Sequence, residues 1–244
     1  MENKHTIIYD FDHTLIADFF RGLKRQGPES DEITKLALHF INDLPDNPSI
    51  ADIGCGTGGQ TITLAQSTNG KIKAVDLMPE FVESLKENIK QLGLDKKIFP
   101  SLESMTDLSF EEVELDLIWA EGSIYNIGYQ KGLKEWRKYL KTNGYIAVSE
   151  VSWFTDSRPQ EISDYWESSY PEIDTIPNKV KQIQQAGYTP VAHFIFPEIC
   201  WWNYFNPILN NIEPFLQKHN YSEGAKDLVD HLTEEIALYR KYKL

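Results

Sequence analysis

The most constraining feature of the chain is a glycine cluster that directly follows a short apolar run. Residues 49–53 (SIADI) are predicted to form a strand, which leads into DIGCGTGG, where Gly54, Gly56 and Gly58 occupy alternate positions. Glycine adopts positive φ angles without steric cost and lets a ligand approach the backbone closely. A helix that starts after such a loop directs its N–H groups at the same ligand. The segment therefore predicts a ligand-binding loop, although a purely structural turn would also use these glycines.

Strands and helices alternate through the first part of the chain. Further strands are predicted at 71–76, 97–102, 115–120 and 145–151, with helices at 31–44, 61–66, 79–92 and 129–141. Alternation at this spacing predicts a doubly wound, mostly parallel α/β sheet. The remainder is predicted to be helical and aromatic-rich, apart from a further strand at 190–196 (PVAHFIF).

The chain length favours one domain. With 244 residues, 41% of them hydrophobic, the chain can bury one well-formed core. We expect a single domain over residues 1–244. Within it, residues 1–45 would form an N-terminal lid and helix, 46–152 the core with the glycine loop, and 153–244 a helical cap and the C-terminal part.

Net charge and cysteine content argue against several classes of function. A formal net charge of −13 opposes binding to nucleic acid, because neutralising phosphates requires clustered Lys and Arg. No apolar run approaches the ~20 residues that a membrane span needs. Cys55 and Cys200 form neither a disulfide framework nor a metal-binding spacing. We therefore expect a cytoplasmic protein that acts on a small molecule and binds no nucleic acid, membrane or metal.

A carboxylate at the end of the next predicted strand supports a nucleotide cofactor. Asp76 in KAVDL follows the glycine loop by about 20 residues, a spacing at which a carboxylate accepts hydrogen bonds from a ribose diol. The loop reads acidic-x-G-x-G-x-G, whereas nicotinamide enzymes usually show G-x-G-x-x-G. The leading acid, Asp52, suits a cofactor that carries an ammonium group.

With these motifs in order, residues 30–153 resemble the class I S-adenosylmethionine-dependent methyltransferases, in particular the small-molecule enzymes of the broad ubiquinone/menaquinone-biosynthesis-like group. The resemblance implies a Rossmann-like fold, S-adenosylmethionine as cofactor and in-line transfer of a methyl group to a small molecule. It also implies that Asp52 lies beside the methionine end of the cofactor and that Asp76 binds the ribose. Leu77 and Met78 would flank the adenine.

Two further segments extend the resemblance. Residues 103–110 (ESMTDLSF) are similar to the family's adenine-edge segment, but many members have an aspartate where this chain has Ser104, so that contact would be weaker. Residues 120–126 (AEGSIYN) take the position that faces the transferring methyl group. The cofactor site implied in this way comprises Asp52, Gly54, Gly56, Gly58, Gln60, Asp76, Leu77, Met78, Ser104, Met105 and Glu121.

Glu121 and Tyr125 are the candidate catalytic residues, because the resemblance places both near the reaction centre. Methyl transfer from a sulfonium depends mainly on alignment and the exclusion of water. A general base contributes only if the acceptor carries a proton. Glu121 is the preferred base, and Glu150 and His193 are further candidates. A capping carboxylate and a half-buried core aromatic would explain Glu121 and Tyr125 equally well.

Substrate selection is expected from aromatic segments on either side of the core. The N-terminal segment would lie over the cofactor in the resembled family, and a second aromatic set follows the fifth predicted strand. Together they would form an apolar lid that excludes water, although the same side chains could simply pack a helical cap. The predicted substrate and lid residues are Tyr9, Phe11, Arg25, Gln26, Trp153 and Trp166.

Two alternatives remain open. The segment DFDHTL resembles the opening motif of haloacid dehalogenase-type phosphatases, with Asp10 as nucleophile and Asp12 as acid/base. Such enzymes need a later acidic pair for Mg²⁺, and the chain contains neither GD nor DD, so this alternative is remote. The nearer alternative is a protein that binds S-adenosylmethionine or S-adenosylhomocysteine without turnover.

The end of the chain departs from the resembled fold, which closes its sheet with a seventh, antiparallel strand. After residue 196 the sequence predicts helices and no convincing last strand. An unpaired sheet edge favours association with another chain. We therefore expect a homodimer.

Overall fold

A five-stranded parallel sheet forms the centre of the protein, for which a computed structural model describes residues 11–243. The strand order is β3-β2-β1-β4-β5, so the chain first builds outward from β1 and then returns to its other side. The carboxyl ends of β1 and β4 therefore flank the point where the order reverses, which is where ligands bind in open α/β sheets. The strands are β1 (Ser49–Ile53), β2 (Lys71–Asp76), β3 (Ile98–Leu102), β4 (Leu115–Ala120) and β5 (Leu140–Val148).

Helices cover both faces of the sheet and extend beyond it. Several begin or end as their sequence predicts: Ser30 Oγ accepts a hydrogen bond from Ile33 N at the start of α2, and Gly93 ends α4 with φ 66°. The helices are α1 (His13–Phe20), α2 (Asp31–His39), α3 (Gly59–Ser67), α4 (Pro79–Leu92), α5 (Tyr129–Trp136), α6 (Gln160–Ser169), α7 (Ile176–Gln185), α8 (Glu198–Lys218) and α9 (Glu223–Tyr242). The doubly wound, Rossmann-like fold is therefore confirmed.

Three apolar clusters hold these layers together. One lies between the sheet and α5, where Trp136 and Leu133 are buried, and a second lies under α3 and α4, where Leu64 and Leu85 are buried. The third joins α1 to α8 and α9 through side chains such as Phe19 and Phe205. The N-terminal segment thus packs against the C-terminal helices, and together they stand beside the sheet.

The predicted strand at 190–196 is wrong. These residues follow an irregular path, and among the described strands none pairs with the outer edge of β5. Phe194 instead packs against Phe40, at the end of α2, with ring centroids 6.0 Å apart. Apolar alternation forms a strand only where a neighbouring backbone completes its hydrogen bonds, and its β-propensity depends on that context. Two short strands, β6 (Ser152–Trp153) and β7 (Asp174–Thr175), pair with each other outside the main sheet.

The phosphatase motif has no support in the part of the chain that the structure describes. Asp12 is the N-cap of α1, and its carboxylate accepts a hydrogen bond from Thr14 N at 2.8 Å. The helix α1 follows it directly. Asp10, like Tyr9 of the predicted lid, lies outside residues 11–243. Over that range no helix is long and apolar enough to cross a membrane.

Candidate cofactor and substrate site

A cavity of about 2130 Å³ opens at the carboxyl ends of the strands and continues beside β5. Residues that directly follow β1, β3, β4 and β5, together with Asp76 at the end of β2, contribute to its wall. Ligand pockets usually measure about 300–1,000 Å³. The cavity therefore has room for a nucleotide-sized ligand and a second molecule.

The glycine loop forms one wall of this cavity. Gly54, Gly56 and Gly58 have φ angles of 78°, 55° and 95°, which L side chains rarely adopt. At Gly54 a Cβ atom would lie 2.4 Å from Ser123 Cβ and 2.6 Å from Met105 Cε. The backbone there must stay bare because two neighbouring segments pack onto it. Gly54 and Gly56 line the cavity.

Asp76 stands at the end of β2, next to this loop. Its Oδ2 accepts a hydrogen bond from Gly56 N at 2.8 Å and its Oδ1 accepts one from Met78 N at 2.9 Å. A carboxylate oxygen has two lone pairs, so each can accept a further hydrogen bond from a ligand. Burial raises the pKa of Asp76, an effect that the two N–H bonds oppose. Together with Leu77 and Met78, Asp76 lines the cavity.

Asp52 supports the loop from behind. It is fully buried and accepts hydrogen bonds from Thr61 Oγ1 at 2.5 Å and from Gln60 Nε2 at 3.3 Å. Burial raises its pKa to about 7. Gln60 belongs to the cavity wall and Asp52 does not. Asp52 therefore lies behind the cavity wall and positions Gln60, which lines it.

Glu121 follows β4, and both of its carboxylate oxygens already have hydrogen-bond or ion-pair partners. Oε1 accepts hydrogen bonds from Thr34 Oγ1 at 2.7 Å and Trp119 Nε1 at 2.8 Å, and Oε2 pairs with Arg25 at 2.9 Å. Burial raises the pKa of Glu121 while Arg25 opposes the shift. A carboxylate held by three donors makes a poor general base. The geometry favours Glu121 as an anchor in the cavity wall.

Arg25 is the partner that ties the N-terminal segment to the sheet. Only 7% of its side chain is exposed, and it pairs with Glu29, Asp31 and Glu121 at 3.6, 3.0 and 2.9 Å. Arg25 does not line the cavity, so it offers no direct contact to a substrate. Its neighbour Gln26 does line the cavity, and its Oε1 accepts a hydrogen bond from Thr57 N at 3.0 Å. Both residues clamp this segment onto the glycine loop.

Ser104 and Met105 lie on the cavity wall after β3, as the adenine-edge prediction requires. Ser104 Oγ is 2.9 Å from Thr106 Oγ1 and accepts a weaker bond from Thr106 N at 3.3 Å. Met105 is fixed through its carbonyl, which accepts a hydrogen bond from Trp136 Nε1 at 3.0 Å. This segment is therefore held in place at the edge of the cavity.

Tyrosines and carboxylates from the later segments line another part of the cavity. Tyr125 packs edge-on against Tyr170 with centroids 5.8 Å apart, and the charge of Glu235 acts on both Tyr165 and Tyr204. Of the predicted lid residues, Trp166 lines the cavity, whereas Phe11 packs on His231 and Trp153 on Arg158 without reaching it. We call this part the tyrosine chamber and define it as Tyr125, Tyr165, Tyr170, Tyr204, Glu150 and Glu235.

A buried ion pair closes one side of the chamber. Lys179 Nζ donates to Glu150 Oε1 at 3.1 Å and to Tyr170 Oη at 2.8 Å, and both charged side chains are about 95% buried. Burial raises the pKa of Glu150, and Lys179 opposes this shift. The second oxygen, Oε2, is buried and has no hydrogen-bond partner among the described residues. An unsatisfied buried acceptor costs about 1–3 kcal/mol.

Comparison with known proteins agrees with the geometry of the glycine loop and Asp76. Residues 50–144, which contain both, match a family model described as a methyltransferase domain.

Over residues 50–144 the chain is similar to that methyltransferase domain.

The relatives of this methyltransferase domain include enzymes that act on small molecules. A demethylmenaquinone methyltransferase of Bacillus cytotoxicus is 30% identical over 115 residues, which cover 46% of this chain and 48% of that protein. The chain spans about half the length of the curated relatives it matches.

Solved structures share the fold of the methyltransferase domain over nearly the whole chain. A methyltransferase from Geobacter sulfurreducens, solved with S-adenosyl-L-homocysteine, gives a TM-score of 0.82 at 16% identity and covers 94% of this chain and 92% of that one. The cyclase SpnF gives 0.73 at 17% identity, with 96% and 88% covered. At such identities the likeness shows the fold alone.

Sequence reasoning missed three charged residues that the methyltransferase domain and its cap bring to the cavity. Glu29 is 4% exposed, and burial together with the charge of Glu121 raises its pKa to about 8. Lys179 and Glu235 lie on α7 and α9. The sequence shows each as one charged residue among many. For Glu29 the one sequence signal was its position in the segment GPES, which directly follows the predicted lid residues Arg25 and Gln26.

Proposed function

We propose that the protein transfers a methyl group from S-adenosylmethionine to a small-molecule acceptor. The observation that carries the proposal is the joint position of Asp76 and the glycine loop at the switch point of the sheet, on the same cavity as the tyrosine chamber. A ribose diol would donate to the remaining lone pairs of Asp76. The methionine end would lie on Gly54 and Gly56, near the negative charge of Asp52.

The chemistry asks little of individual side chains. S-adenosylmethionine supplies an electrophilic methyl carbon, and as the acceptor's lone pair bonds to it, the carbon–sulfur bond breaks and its electrons stay on sulfur. The protein aligns the two molecules, which is worth an effective concentration of about 10⁵ M or more. Arg25, Gln26 and Glu121 hold the N-terminal segment over the glycine loop, where it excludes water.

Calorimetric titration with S-adenosylmethionine tests the cofactor half of the proposal. We expect one site per chain with micromolar affinity. Lack of binding would contradict the proposal.

A labelled-methyl assay against a metabolite panel then separates an enzyme from a protein that only binds the cofactor. Methylation of any panel compound supports the enzyme. The cyclase SpnF shares this fold. Because the fold alone does not identify the reaction, this assay is necessary.

The wider setting of the protein is part of the same proposal. A single domain is supported by the packing of α1 against α8 and α9 beside the sheet, and a homodimer by the unpaired outer edge of β5. Cys55 and Cys200 are buried thiols, in keeping with a cytoplasmic location. Light scattering on the purified protein measures the oligomeric state.

A further inference from the structure

A four-residue segment, 26–29 (QGPE), runs along the cavity wall from the glycine loop to the end of β4, and all four residues line the cavity. At one end, a Cβ atom on Gly56 would lie 2.2 Å from Gln26 Oε1. At the other end, a Cβ atom on Gly122 would lie 2.7 Å from Glu29 Oε1. Three residue steps span at most about 11 Å. A ligand on the glycine loop would therefore share one stretch of wall with the Glu29 carboxyl.

The end of β4 packs against the same loop. Ser123, which directly follows Gly122, has its Cβ atom 2.4 Å from where a Cβ atom on Gly54 would lie. Gly122 N donates to Ser149 Oγ at 2.7 Å, and Ser149 Oγ donates to Glu29 Oε1 at 3.4 Å. The Glu29 carboxyl therefore lies at the carboxyl ends of β4 and β5, beside the loop that follows β1.

Glu29 is buried with weak polar partners. Its side chain is 4% exposed, and besides the long bond from Ser149 its Oε2 lies 3.6 Å from Arg25 Nη1. The same nitrogen lies nearer to Glu121, at 2.9 Å. Two buried carboxyl groups thus share one guanidinium nitrogen. Burial and the charge of Glu121 raise the pKa of Glu29 to about 8, so this carboxyl keeps its proton at neutral pH.

Carboxyl groups outnumber cations around Glu29. The titratable groups that act on it or feel its charge are Arg25, Glu121, Asp52 of β1, and Cys200 and Tyr204 of α8. Of these, Arg25 alone is a cation, and it also pairs with Asp31 at 3.0 Å. A nearby positive charge favours the ionised form of a carboxyl group. A cation brought by a ligand on the glycine loop would therefore ionise Glu29.

The proposed cofactor and its product differ in charge at one atom. The sulfur of S-adenosylmethionine is a sulfonium cation, and that of S-adenosylhomocysteine is a neutral thioether. The ammonium and carboxylate groups are the same in both molecules. A comparison of the two ligands therefore isolates the effect of the charge on sulfur.

We propose that Glu29 is the residue by which the cofactor site distinguishes the sulfonium of S-adenosylmethionine from the thioether of S-adenosylhomocysteine. When the sulfonium binds, the O–H bond of Glu29 breaks, the proton passes to the buffer and the carboxylate faces the cation. When the thioether binds, the carboxyl group keeps its proton. The inference rests on the proposed function and deepens it, because the site then prefers the substrate form over the product form increasingly as the pH rises.

Calorimetric titration of the parent protein with both ligands tests the inference. The ratio of the affinity for S-adenosylmethionine to that for S-adenosylhomocysteine should rise about tenfold between about pH 6 and pH 8.5, since selective proton release changes it by up to about tenfold per pH unit. Titrations at neutral pH in phosphate and in Tris, whose ionisation enthalpies differ, count the protons. S-adenosylmethionine should release about half a proton more than S-adenosylhomocysteine. A flat ratio or equal proton release overturns the inference.

Two variants locate the effect. Glu29→Gln keeps the shape of the protonated carboxyl group, so its affinity ratio should stay within about twofold over the same pH range. Glu87→Gln, at an exposed position of α4 outside the cavity lining, should keep the parent's tenfold rise. A rise that persists in Glu29→Gln belongs to another carboxyl group, such as Asp52, and overturns the inference. A melting curve checks that each variant is folded, and the pH series on the parent depends on neither.

The same titrations separate this inference from the proposed function. If both ligands bind and their affinity ratio does not change with pH, the cofactor site stands and the role of Glu29 alone falls. If neither ligand binds, the proposed function is contradicted and the inference falls with it.

Discussion

The glycine-loop half of the cavity and the tyrosine chamber satisfy their polar groups in different ways. Asp76 and Asp52 each accept two hydrogen bonds from residues nearby, so the loop is held in shape by the protein itself. In the chamber, Glu235 has no ion pair among the described residues and Glu150 leaves one oxygen unpaired. The first half is preorganised, whereas the second contains polar groups that the described residues leave without a partner. Removing a polar group from the glycine-loop half should therefore destabilise the protein, whereas removing an unpartnered polar group from the chamber should not.

The largest effect on stability is expected for Arg25→Ala, which breaks the anchor of the preorganised half. The carboxylates of Glu121 and Asp31 would lose their cation, and removing one partner of a buried pair costs about 3–5 kcal/mol. Urea denaturation measures the free energy of unfolding. Lys24→Ala is a matched control, because Lys24 also pairs with Asp31 but its side chain is 73% exposed, and it should cost less than about 1 kcal/mol. Similar losses in both variants would contradict the anchor.

Asp76→Ala is expected to lower the affinity for S-adenosylmethionine about 100-fold. It removes two hydrogen bonds from the ribose to a charged acceptor, each worth about 1.5–3 kcal/mol, part of which water returns. Calorimetry measures the affinity, and a melting curve checks that the loop survives, because Asp76 also holds Gly56 N. Asp95→Ala, at an exposed position, should leave the affinity unchanged. Unaltered affinity in Asp76→Ala would remove the basis of the proposed function.

The same contrast explains how far the sequence could predict the structure. β1, β2 and β4 are short runs of strand-forming residues, and neighbouring residues encode the turns and helices that follow them. Local sequence pattern therefore predicted these strands and the glycine loop. The pair Arg25–Glu121 joins residues 96 positions apart, and no local pattern encodes such a contact. The helical character of the C-terminal part was predicted as well, but which acidic residue of α9 faces the cavity depends on how α9 packs against its neighbours.

The strand predicted at 190–196 failed for the same reason. Its residues are typical of a strand, but a strand also needs a partner, and no described strand pairs with the outer edge of β5. Local sequence determines the tendency to form a strand, and a neighbouring backbone determines whether the strand forms. The cap and the chamber depend mostly on such distant partners.

The pH dependence of stability should sharpen the comparison further. The pKa of Glu29 is about 8 in the folded protein against its ordinary 4.5, so the folded state keeps a proton that the unfolded chain releases between these values. The contribution of this proton to stability is therefore fully present below about pH 4.5 and falls as the pH rises towards 8. One such proton gives a slope of up to about 1.4 kcal/mol per pH unit.

Glu29→Gln should flatten this fall, measured as the free energy of unfolding at pH 5, 6, 7 and 8. Asp52, whose pKa is about 7 against an ordinary 3.8, contributes a parallel fall that the variant retains. Glu87→Gln, at an exposed position of α4 outside the cavity lining, serves as the control and should keep the parent's profile. An unchanged slope in Glu29→Gln would show that Glu29 is ionised in the folded protein at neutral pH.

The smallest effects should come from two buried hydroxyls, one in each half. Thr61 Oγ1 donates to Asp52, so Thr61→Val should cost about 1–3 kcal/mol, because a buried carboxylate loses a donor. Ser169 Oγ lines the cavity near the chamber, is buried and has no partner among the described residues. Ser169→Ala should therefore be neutral or stabilise by up to about 1 kcal/mol. Equal losses for the two would mean that both halves are preorganised, and the contrast between them would not hold.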